Sequence, residues 1–306
     1  MQVVIPFALS DDPASQQAAR ALQLPVLSQL LGLLSPENHR PAPTGQALAH
    51  EHVLARLQGL PAATHYPWAA MQAAQLGLDT RLSWAWVTPC HWQIGQGQVV
   101  MANPYDLRWP EDEHQVLFET LKEFFKDDGI ALHAVPGQQH WLASGEVFAQ
   151  TPAAPLERVV GRNLSDWLPP GNTLRRLQTE VQMLLYTHPV NDARTARGEL
   201  PVNSVWFAAC GQAPTIASAA PHKLHVPLDL RAPALSNRWS DWQTAWQHLD
   251  ATLIARLRDA AQQGDVVLHL CSEDRCISLS NRATGLWQKI RRTIRPLRLQ
   301  DLWTDP

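Results

Sequence analysis

The sequence predicts an α/β fold built on a mainly parallel sheet, most clearly in its C-terminal part. Residues 240–263 place large apolar side chains at helical spacing: Trp242, Trp246, Leu249, Leu253 and Leu257. Gly264 ends this predicted helix, and residues 266–270 (VVLHL) follow as a run typical of a strand buried on both faces. A helix, a glycine stop and a doubly buried strand together indicate a parallel sheet flanked by helices.

Earlier segments supply further elements of the same class. "MQVVIPFAL" predicts a short buried strand, and "SDDPASQQAARAL" predicts a helix with a capping residue and a proline in its first turn. A helix is predicted over residues 111–128, where Gly129 ends it and "IALHAV" follows as a strand. The residues predicted to face inward on this helix are Val116, Leu117, Leu121, Phe124 and Phe125. A second helix is predicted over residues 173–187, and its predicted inward residues are Leu174, Leu177, Val181, Leu184 and Leu185.

Composition excludes several classes of protein. The chain has 306 residues, 45% hydrophobic and 17% charged, which is typical of an ordinary globular protein. The net charge of −3 gives no support for nucleic-acid binding, although it does not exclude it, and no apolar run is long enough for a transmembrane helix. The N-terminus lacks the cationic lead of a signal peptide, and the four cysteines show no CxxC spacing. We therefore expect a cytoplasmic protein with free thiols.

A donor-rich segment, residues 186–206, precedes an apolar strand-like run. Its candidate ligand-binding residues are His188, Asn191, Arg194, Arg197, Asn203 and Trp206. Arginine's planar fork suits phosphate or carboxylate groups, so the segment can form an anion site. Asparagine and aspartate also satisfy turn backbones, and Arg194 can pair with Asp192 or Glu199, so the segment can equally be a structural loop. The spacing leaves both alternatives open.

Three short patterns resemble parts of metal sites: "HEH" at residues 50–52, "HKLH" at residues 222–225 and "SED" at residues 272–274. None of them brings a full set of histidines and carboxylates together, so each is weak evidence for a metal. The sequence contains no GxSxG, P-loop, GxGxxG or HExxH motif.

The segment "HPVNDARTARGELPVNSVWF" resembles a stretch of the archaeal-type cofactor-independent phosphoglycerate mutases. Further likenesses follow in the same order along the chain: "LPVLSQLL", "AAQLGLD", "VMANPYDLRWPEDEHQVLFETL", "HLDATLIARL" and "VVLHLCSEDRCISL". The same features are similar to a bacterial group, the regulatory proteins of the RpfE type, and we take this group as the closer match.

The resemblance implies an alkaline-phosphatase-like fold whose catalytic relatives use two metal ions and a serine or threonine nucleophile. Phe7 or its neighbour aligns with the position of the family's first aspartate ligand, and Trp68 aligns at or near the position of the nucleophile. Glu273 and Asp274 fall at the late Asp-His pair, and the central His, Asp, His stretch is missing from residues 211–240. Trp68, Glu273 and Asp274 are thus degenerate metal-site positions, and we expect neither a metal nor another cofactor.

The resemblance also implies a division of the chain and a function. The alkaline-phosphatase-like core is expected in residues 1–88 and 170–306, with a phosphoglycerate-mutase-type α+β domain inserted at residues 89–169. The expected function is regulatory and non-catalytic, through a phosphorylated small molecule or a protein partner, with no membrane role. The alternative is an active mutase or phosphatase with rearranged catalytic residues.

Overall fold

A computed structural model of the chain describes residues 1–9, 12–37, 45–95, 97–107, 109–214, 224–282 and 302. The chain divides into two compact units. The first unit comprises Met1–Pro43, Leu48–Ala62 and Ile216–Pro306, and the second comprises Thr44–Ala47 and Ala63–Thr215. This division differs from the predicted one, because residues 63–88 and 170–215 belong with the predicted insert rather than with the N-terminal strand.

The described residues form strands and helices that are interspersed along the chain. The strands are β1 (Gln2–Ile5), β2 (Ser35–Pro36), β3 (Ser83–Cys90), β4 (Trp92–Gly95), β5 (Gln98–Met101), β6 (Ala131–His133), β7 (Trp141–Ser144), β8 (Ser204–Gln212), β9 (Leu224–His225), β10 (Val267–Cys271) and β11 (Cys276–Ser280). The helices are α1 (Pro13–Arg20), α2 (Pro25–Leu31), α3 (Ala49–Leu57), α4 (Trp68–Gln75), α5 (Glu111–Lys126), α6 (Leu156–Val159), α7 (Thr173–Tyr186), α8 (Pro189–Ala196), α9 (Arg231–Leu235), α10 (Trp239–Leu249) and α11 (Ala255–Gln263). None of the helices among the described residues is long and apolar enough to cross a bilayer.

The first unit contains a mixed sheet in the order β2-β11-β10-β1-β9. Strand β1 runs parallel to both β10 and β9, as the sequence predicts for the buried strands. The predicted sheet is nevertheless only partly parallel, because β11 returns antiparallel to β10 and β2 pairs antiparallel to β11. The cause is a tight turn at residues 272–275, which leaves no room for a crossover helix.

The two faces of this sheet bury different side chains, because successive strand residues point to opposite faces. Val3, Ile5 and Leu270 lie in the larger core with helices α2, α10 and α11. Val4 and Cys271 lie on the opposite face, where they pack with residues of α3.

The long C-terminal helix confirms its predicted inward face. All five predicted residues are buried: Trp242, Trp246, Leu249, Leu253 and Leu257. A π-helical segment, Asp250–Ile254, joins α10 to α11 and carries a buried carboxylate. Asp250 Oδ1 accepts a hydrogen bond from Leu27 N at 2.7 Å, and Oδ2 accepts one from Val26 N at 3.1 Å. These amides lie in the first turn of α2, where backbone donors have no partner within the helix.

The second unit is built on an antiparallel sheet in the order β6-β7-β3-β8, with β4 and β5 as a separate hairpin. Strand β3 continues to Cys90, so the predicted domain boundary after residue 88 falls inside a strand. Helices α5 and α7 bury apolar side chains in one cluster with this sheet. Leu117, Leu121 and Phe125 lie in that cluster as predicted, but the inward placement of Val116 is wrong, since Val116 is 47% exposed.

We expect the substitution Asp250→Ala to reduce the free energy of unfolding by about 1.5–3 kcal/mol, because two amides at the start of α2 lose a charged acceptor. Asp241→Ala in the same long helix is the matched control. The Asp241 side chain is 63% exposed and pairs with Arg238 on the surface, so its loss should cost less than about 1 kcal/mol. Urea denaturation measures both, and equal losses for the two variants would contradict the capping role.

Candidate functional site

The donor-rich segment predicted as a loop contains a helix, α8, and His188 caps its N-terminus. His188 Nδ1 accepts a hydrogen bond from Val190 N at 3.3 Å, so in the neutral ring Nε2 carries the proton. That nitrogen lies 3.2 Å from Thr120 Oγ1 of α5, whose own hydroxyl donates to Val116 O. Burial lowers the pKa of His188, which favours this neutral form.

Asn191 joins the end of α7 to the segment that leads into β8. Its Nδ2 donates to Leu185 O and to Val202 O, each at 2.8 Å, and its Oδ1 accepts from Val202 N at 2.7 Å. The side chain is buried, and three backbone groups fix its amide. Asn191 is therefore a structural bridge between two elements of the second unit.

Arg194 is a buried cation with a carboxylate partner from another helix. Its Nη1 lies 2.6 Å from Glu113 Oε2 of α5, and its Nε donates to Leu200 O at 2.8 Å. The guanidinium carbon lies 5.4 Å from the centre of the Trp109 ring, within the range of a cation–π contact. The side chain of Arg194 is 1% exposed and that of Glu113 is 10% exposed, so this ion pair is largely shielded from water.

Arg197 forms the outer part of the same network. It pairs with the second oxygen of Glu113 and, at 2.9 Å, with Glu199 Oε2. These two carboxylates raise the pKa of Arg197, with Glu199 the larger cause. Arg197 is 44% exposed, so it forms the water-facing edge of a cluster whose buried centre is Arg194.

Asn203 and Trp206 bind backbone groups of other segments. Asn203 Oδ1 accepts from Trp92 N at 2.7 Å, and its Nδ2 donates to Trp92 O at 2.9 Å, which closes a two-bond ring with the start of β4. Trp206 is fully buried in β8, and its Nε1 donates to Ala154 O at 2.9 Å. Both side chains therefore orient segments of the second unit.

Each of the six candidate residues makes at least one polar contact with another group of this chain. A phosphate at Arg194 would have to displace the Glu113 carboxylate. As a structural residue, Arg194 was predicted to pair with Asp192 or Glu199. Its shortest contact is instead with Glu113, and Glu199 lies 3.8 Å away. Glu113 was missed because it lies 81 residues earlier in the chain, and its acidic first turn in α5 gave only a capping signal.

Aromatic side chains occupy two of the positions that the resemblance assigns to a metal ligand or to the nucleophile, and carboxylates occupy two others. Trp68 is the first residue of α4, and its ring lies 5.4 Å from that of Tyr66. Phe7 follows β1 with a left-handed φ of 56°, and Trp242 Nε1 donates to its carbonyl oxygen at 2.9 Å. Glu273 and Asp274 lie at the tip of the β10–β11 turn, where the Glu273 carbonyl accepts from Ala49 N.

Trp68 and Phe7 could not ligate a divalent ion, because an indole and a phenyl ring have no oxygen or imidazole nitrogen to offer it. Within the described residues, no group of three or more histidines, cysteines, aspartates or glutamates is arranged to hold a metal. Glu51 of the "HEH" pattern instead accepts a hydrogen bond from Leu48 N at the start of α3. His222 of the "HKLH" pattern lies outside the described residues.

Comparison with known proteins relates part of the chain to one group of enzymes. Two curated 2,3-bisphosphoglycerate-independent phosphoglycerate mutases, from Methanosarcina acetivorans and Methanosarcina mazei, are 27% and 28% identical to it over 107 residues. A third of this chain is distantly related to those mutases. The matches cover 34% of this chain and 27% of each relative's length. No family model matches the chain.

Two solved structures align over more of the chain at low similarity. The cofactor-independent phosphoglycerate mutase from Thermoplasma acidophilum gives a TM-score of 0.36 with 12% identity, over 99% of this chain and 98% of that one. The PH0037 protein from Pyrococcus horikoshii gives a TM-score of 0.47 with 12% identity, over 91% and 86% of the two chains. TM-scores of this size do not define a shared fold.

We expect Arg194→Ala to destabilise the protein by about 3–5 kcal/mol, because it removes the buried cation beside Glu113 Oε2 and leaves that carboxylate paired with the partly exposed Arg197. Arg197→Ala is the matched control and should destabilise it much less, since that guanidinium is half in water. Thermal and urea unfolding measure both variants.

A double variant, Glu113→Leu with Arg194→Met, separates an unpaired charge from lost packing. It removes both charges and should recover part of the stability lost in Arg194→Ala. If the double variant is less stable than Arg194→Ala alone, the cost does not come from an uncompensated carboxylate.

Proposed function

We propose that this protein is a non-catalytic relative of the cofactor-independent phosphoglycerate mutases and acts as a cytoplasmic regulatory protein of the RpfE type. The proposal rests on the resemblance, which assigns the nucleophile to a position at or near Trp68, and on the indole that this residue carries. An indole cannot attack phosphorus, whereas the mutase reaction passes through a hydroxyl nucleophile held between two metals. The packing of Trp68 on Tyr66 supports a structural role for this residue.

The fold component of the proposal is an alkaline-phosphatase-like core in the first unit. The parallel pairing of β1 with β9 and β10 supports it, because a mainly parallel sheet is what that core is expected to contain. Ligands of open α/β sheets bind beyond the carboxyl ends of parallel strands. In this chain the residues that follow those ends include Phe7 and the β10–β11 turn. The predicted phosphoglycerate-mutase-type insert of residues 89–169 falls within the second unit.

Action through a protein partner is favoured over a phosphorylated ligand by the Arg194–Glu113 contact. An anion site needs an arginine whose charge is available, and this guanidinium already binds a carboxylate of its own chain. Arg197, at the exposed edge of the same cluster, is the remaining cation that a phosphorylated ligand could reach.

We expect the purified protein to bind no stoichiometric divalent metal and not to interconvert 2- and 3-phosphoglycerate. Elemental analysis and a coupled turnover assay with added Mn²⁺ measure this, with an authentic cofactor-independent mutase assayed in parallel as the positive control. Two bound metals together with turnover that a chelator abolishes would establish the alternative, an active mutase with rearranged residues.

We also expect 2-phosphoglycerate, 3-phosphoglycerate and inorganic phosphate to leave the thermal unfolding midpoint unchanged. A ligand at a hundredfold excess over its Kd would stabilise the folded protein by about 2.7 kcal/mol, which a melt detects readily. The Arg197→Ala variant is the control for specificity. Stabilisation of the wild type that disappears in this variant would instead assign a phosphate site to the donor-rich segment.

A further inference from the structure

Two cysteines face each other across the β10–β11 hairpin. Cys271 and Cys276 are directly opposed in the antiparallel register. Ser272 N donates to Arg275 O at 2.7 Å, so residues 272 and 275 form a hydrogen-bonded pair. Because such pairs alternate with non-hydrogen-bonded ones, the two cysteines form a non-hydrogen-bonded pair, whose Cα atoms lie about 4.5 Å apart. A disulfide spans Cα separations of about 4.4–6.8 Å, so the strands already hold these thiols within bonding reach.

The neighbouring cross-strand pair lies on the same face and adds polar groups. His269 and Ser278 are opposed in the register two residues along, and His269 Nδ1 lies 2.7 Å from Ser278 Oγ. The same hydroxyl lies 3.7 Å from Cys276 Sγ. Ala49 and Val53 of α3 pack on this face beside Cys271. The hairpin thus presents a thiol pair, a hydroxyl and an imidazole in one line under a helix.

The two thiols differ in exposure and in acidity. Cys271 is fully buried, whereas Cys276 is partly exposed beside the turn. The Cys271 thiol, as the largest cause, lowers the pKa of Cys276 by donating to its thiolate, and His269 and Ser278 add to the effect. Burial raises the pKa of Cys271, which keeps this residue a thiol. Cys276 therefore has the character of an attacking thiolate and Cys271 that of a resolving thiol.

We propose that Cys276 and Cys271 form a redox-active dithiol, which hydroperoxides oxidise to a cross-strand disulfide and which low-molecular-weight or protein dithiols reduce. Neither the relationship to the mutases nor the proposed regulatory function assigns this chemistry. The modification site is the β10–β11 hairpin, whose turn is tied to the start of α3 by the hydrogen bond from Ala49 N to Glu273 O.

The oxidation takes two steps. The Cys276 thiolate attacks one oxygen of the hydroperoxide, so that an S–O bond forms, the O–O bond breaks, and the leaving alkoxide or hydroxide takes a proton. The Cys271 sulfur then attacks the Cys276 sulfenic acid, so that the S–S bond forms and the S–O bond breaks. Hydroxide leaves with the proton of the Cys271 thiol as water. The two sulfurs lose two electrons in total, and the hydroperoxide gains them.

Cys90 and Cys210 provide matched internal controls. Both are buried in the second unit, and burial raises the pKa of each thiol. Thiols in such surroundings react slowly with peroxide and with alkylating reagents. Only the hairpin pair combines a partly exposed thiol with a second sulfur in register.

The test treats the folded wild-type protein with a small molar excess of hydrogen peroxide, followed by non-reducing peptide mapping with mass spectrometry. The expected product is one intramolecular disulfide between Cys271 and Cys276, reversed by dithiothreitol, with Cys90 and Cys210 remaining reduced. In Cys271→Ser, a sulfenic acid should accumulate on Cys276 and be trapped by dimedone. In Cys276→Ser, neither the sulfenic acid nor the disulfide should form.

A second measurement uses alkylation of the wild type by iodoacetamide as a function of pH. Cys276 should react with a midpoint below the ordinary cysteine value of about 8.5, and Cys271→Ala should move that midpoint upward by removing the thiol that donates to the Cys276 thiolate. Wild-type protein that forms no 271–276 disulfide, or that oxidises first at Cys90 or Cys210, overturns the proposal. So does dimedone labelling that is the same in both serine variants, and the wild-type map decides even if a variant fails to fold.

Discussion

The guanidinium of Arg194 is 1% exposed, and a cation in that position needs an opposite charge within hydrogen-bond distance. Glu113 supplies that charge from the first turn of α5, and Leu200 O accepts a hydrogen bond from Arg194 Nε. The contact therefore fixes where α8 lies against α5 and where the chain turns toward β8. The other polar residues of the donor-rich segment form hydrogen bonds with backbone groups whose positions depend on this ion pair.

The same residue types suit ligand binding and scaffolding because both tasks need side chains that satisfy polar groups away from water. Asn191 completes three backbone bonds between α7 and the start of β8, and Asn203 completes two with β4. Each replaces a backbone partner that the irregular chain cannot provide. A segment rich in such residues therefore suits the geometry of a strand that enters an antiparallel sheet between short connections.

Elements with a strong local pattern were predictable from the sequence. Strands β1 and β10 and the long helix of α10 and α11 follow from apolar runs and helical spacing, which depend on neighbours a few residues away. Helix α8 was missed, because its Asn and Asp residues are typical of turns and only the proline at its start signals a helix. Val116 was misplaced because the buried face of α5 is set by the sheet it packs on, which its own sequence does not encode.

The candidate site was predictable in its residue types and not in its partners. The residue numbers of the six side chains came from one short segment, but the Glu113 contact joins positions 81 apart and depends on the packing of two helices. The partly antiparallel sheet had a local signal that the sequence analysis left unused. "SEDR" between two apolar runs is short enough for a hairpin turn, and too short for the crossover that a parallel partner would need.

That turn also carries Glu273 and Asp274 between the two residues of the thiol pair. A connection with Glu273 and Asp274 at its tip forces the flanking residues into direct register, and the flanking residues are Cys271 and Cys276. Any longer connection would release this register, and a shift of one residue would turn one sulfur to the opposite face of the sheet. The proposed thiol chemistry of the β10–β11 hairpin therefore depends more on the length of the turn than on the identity of its carboxylates.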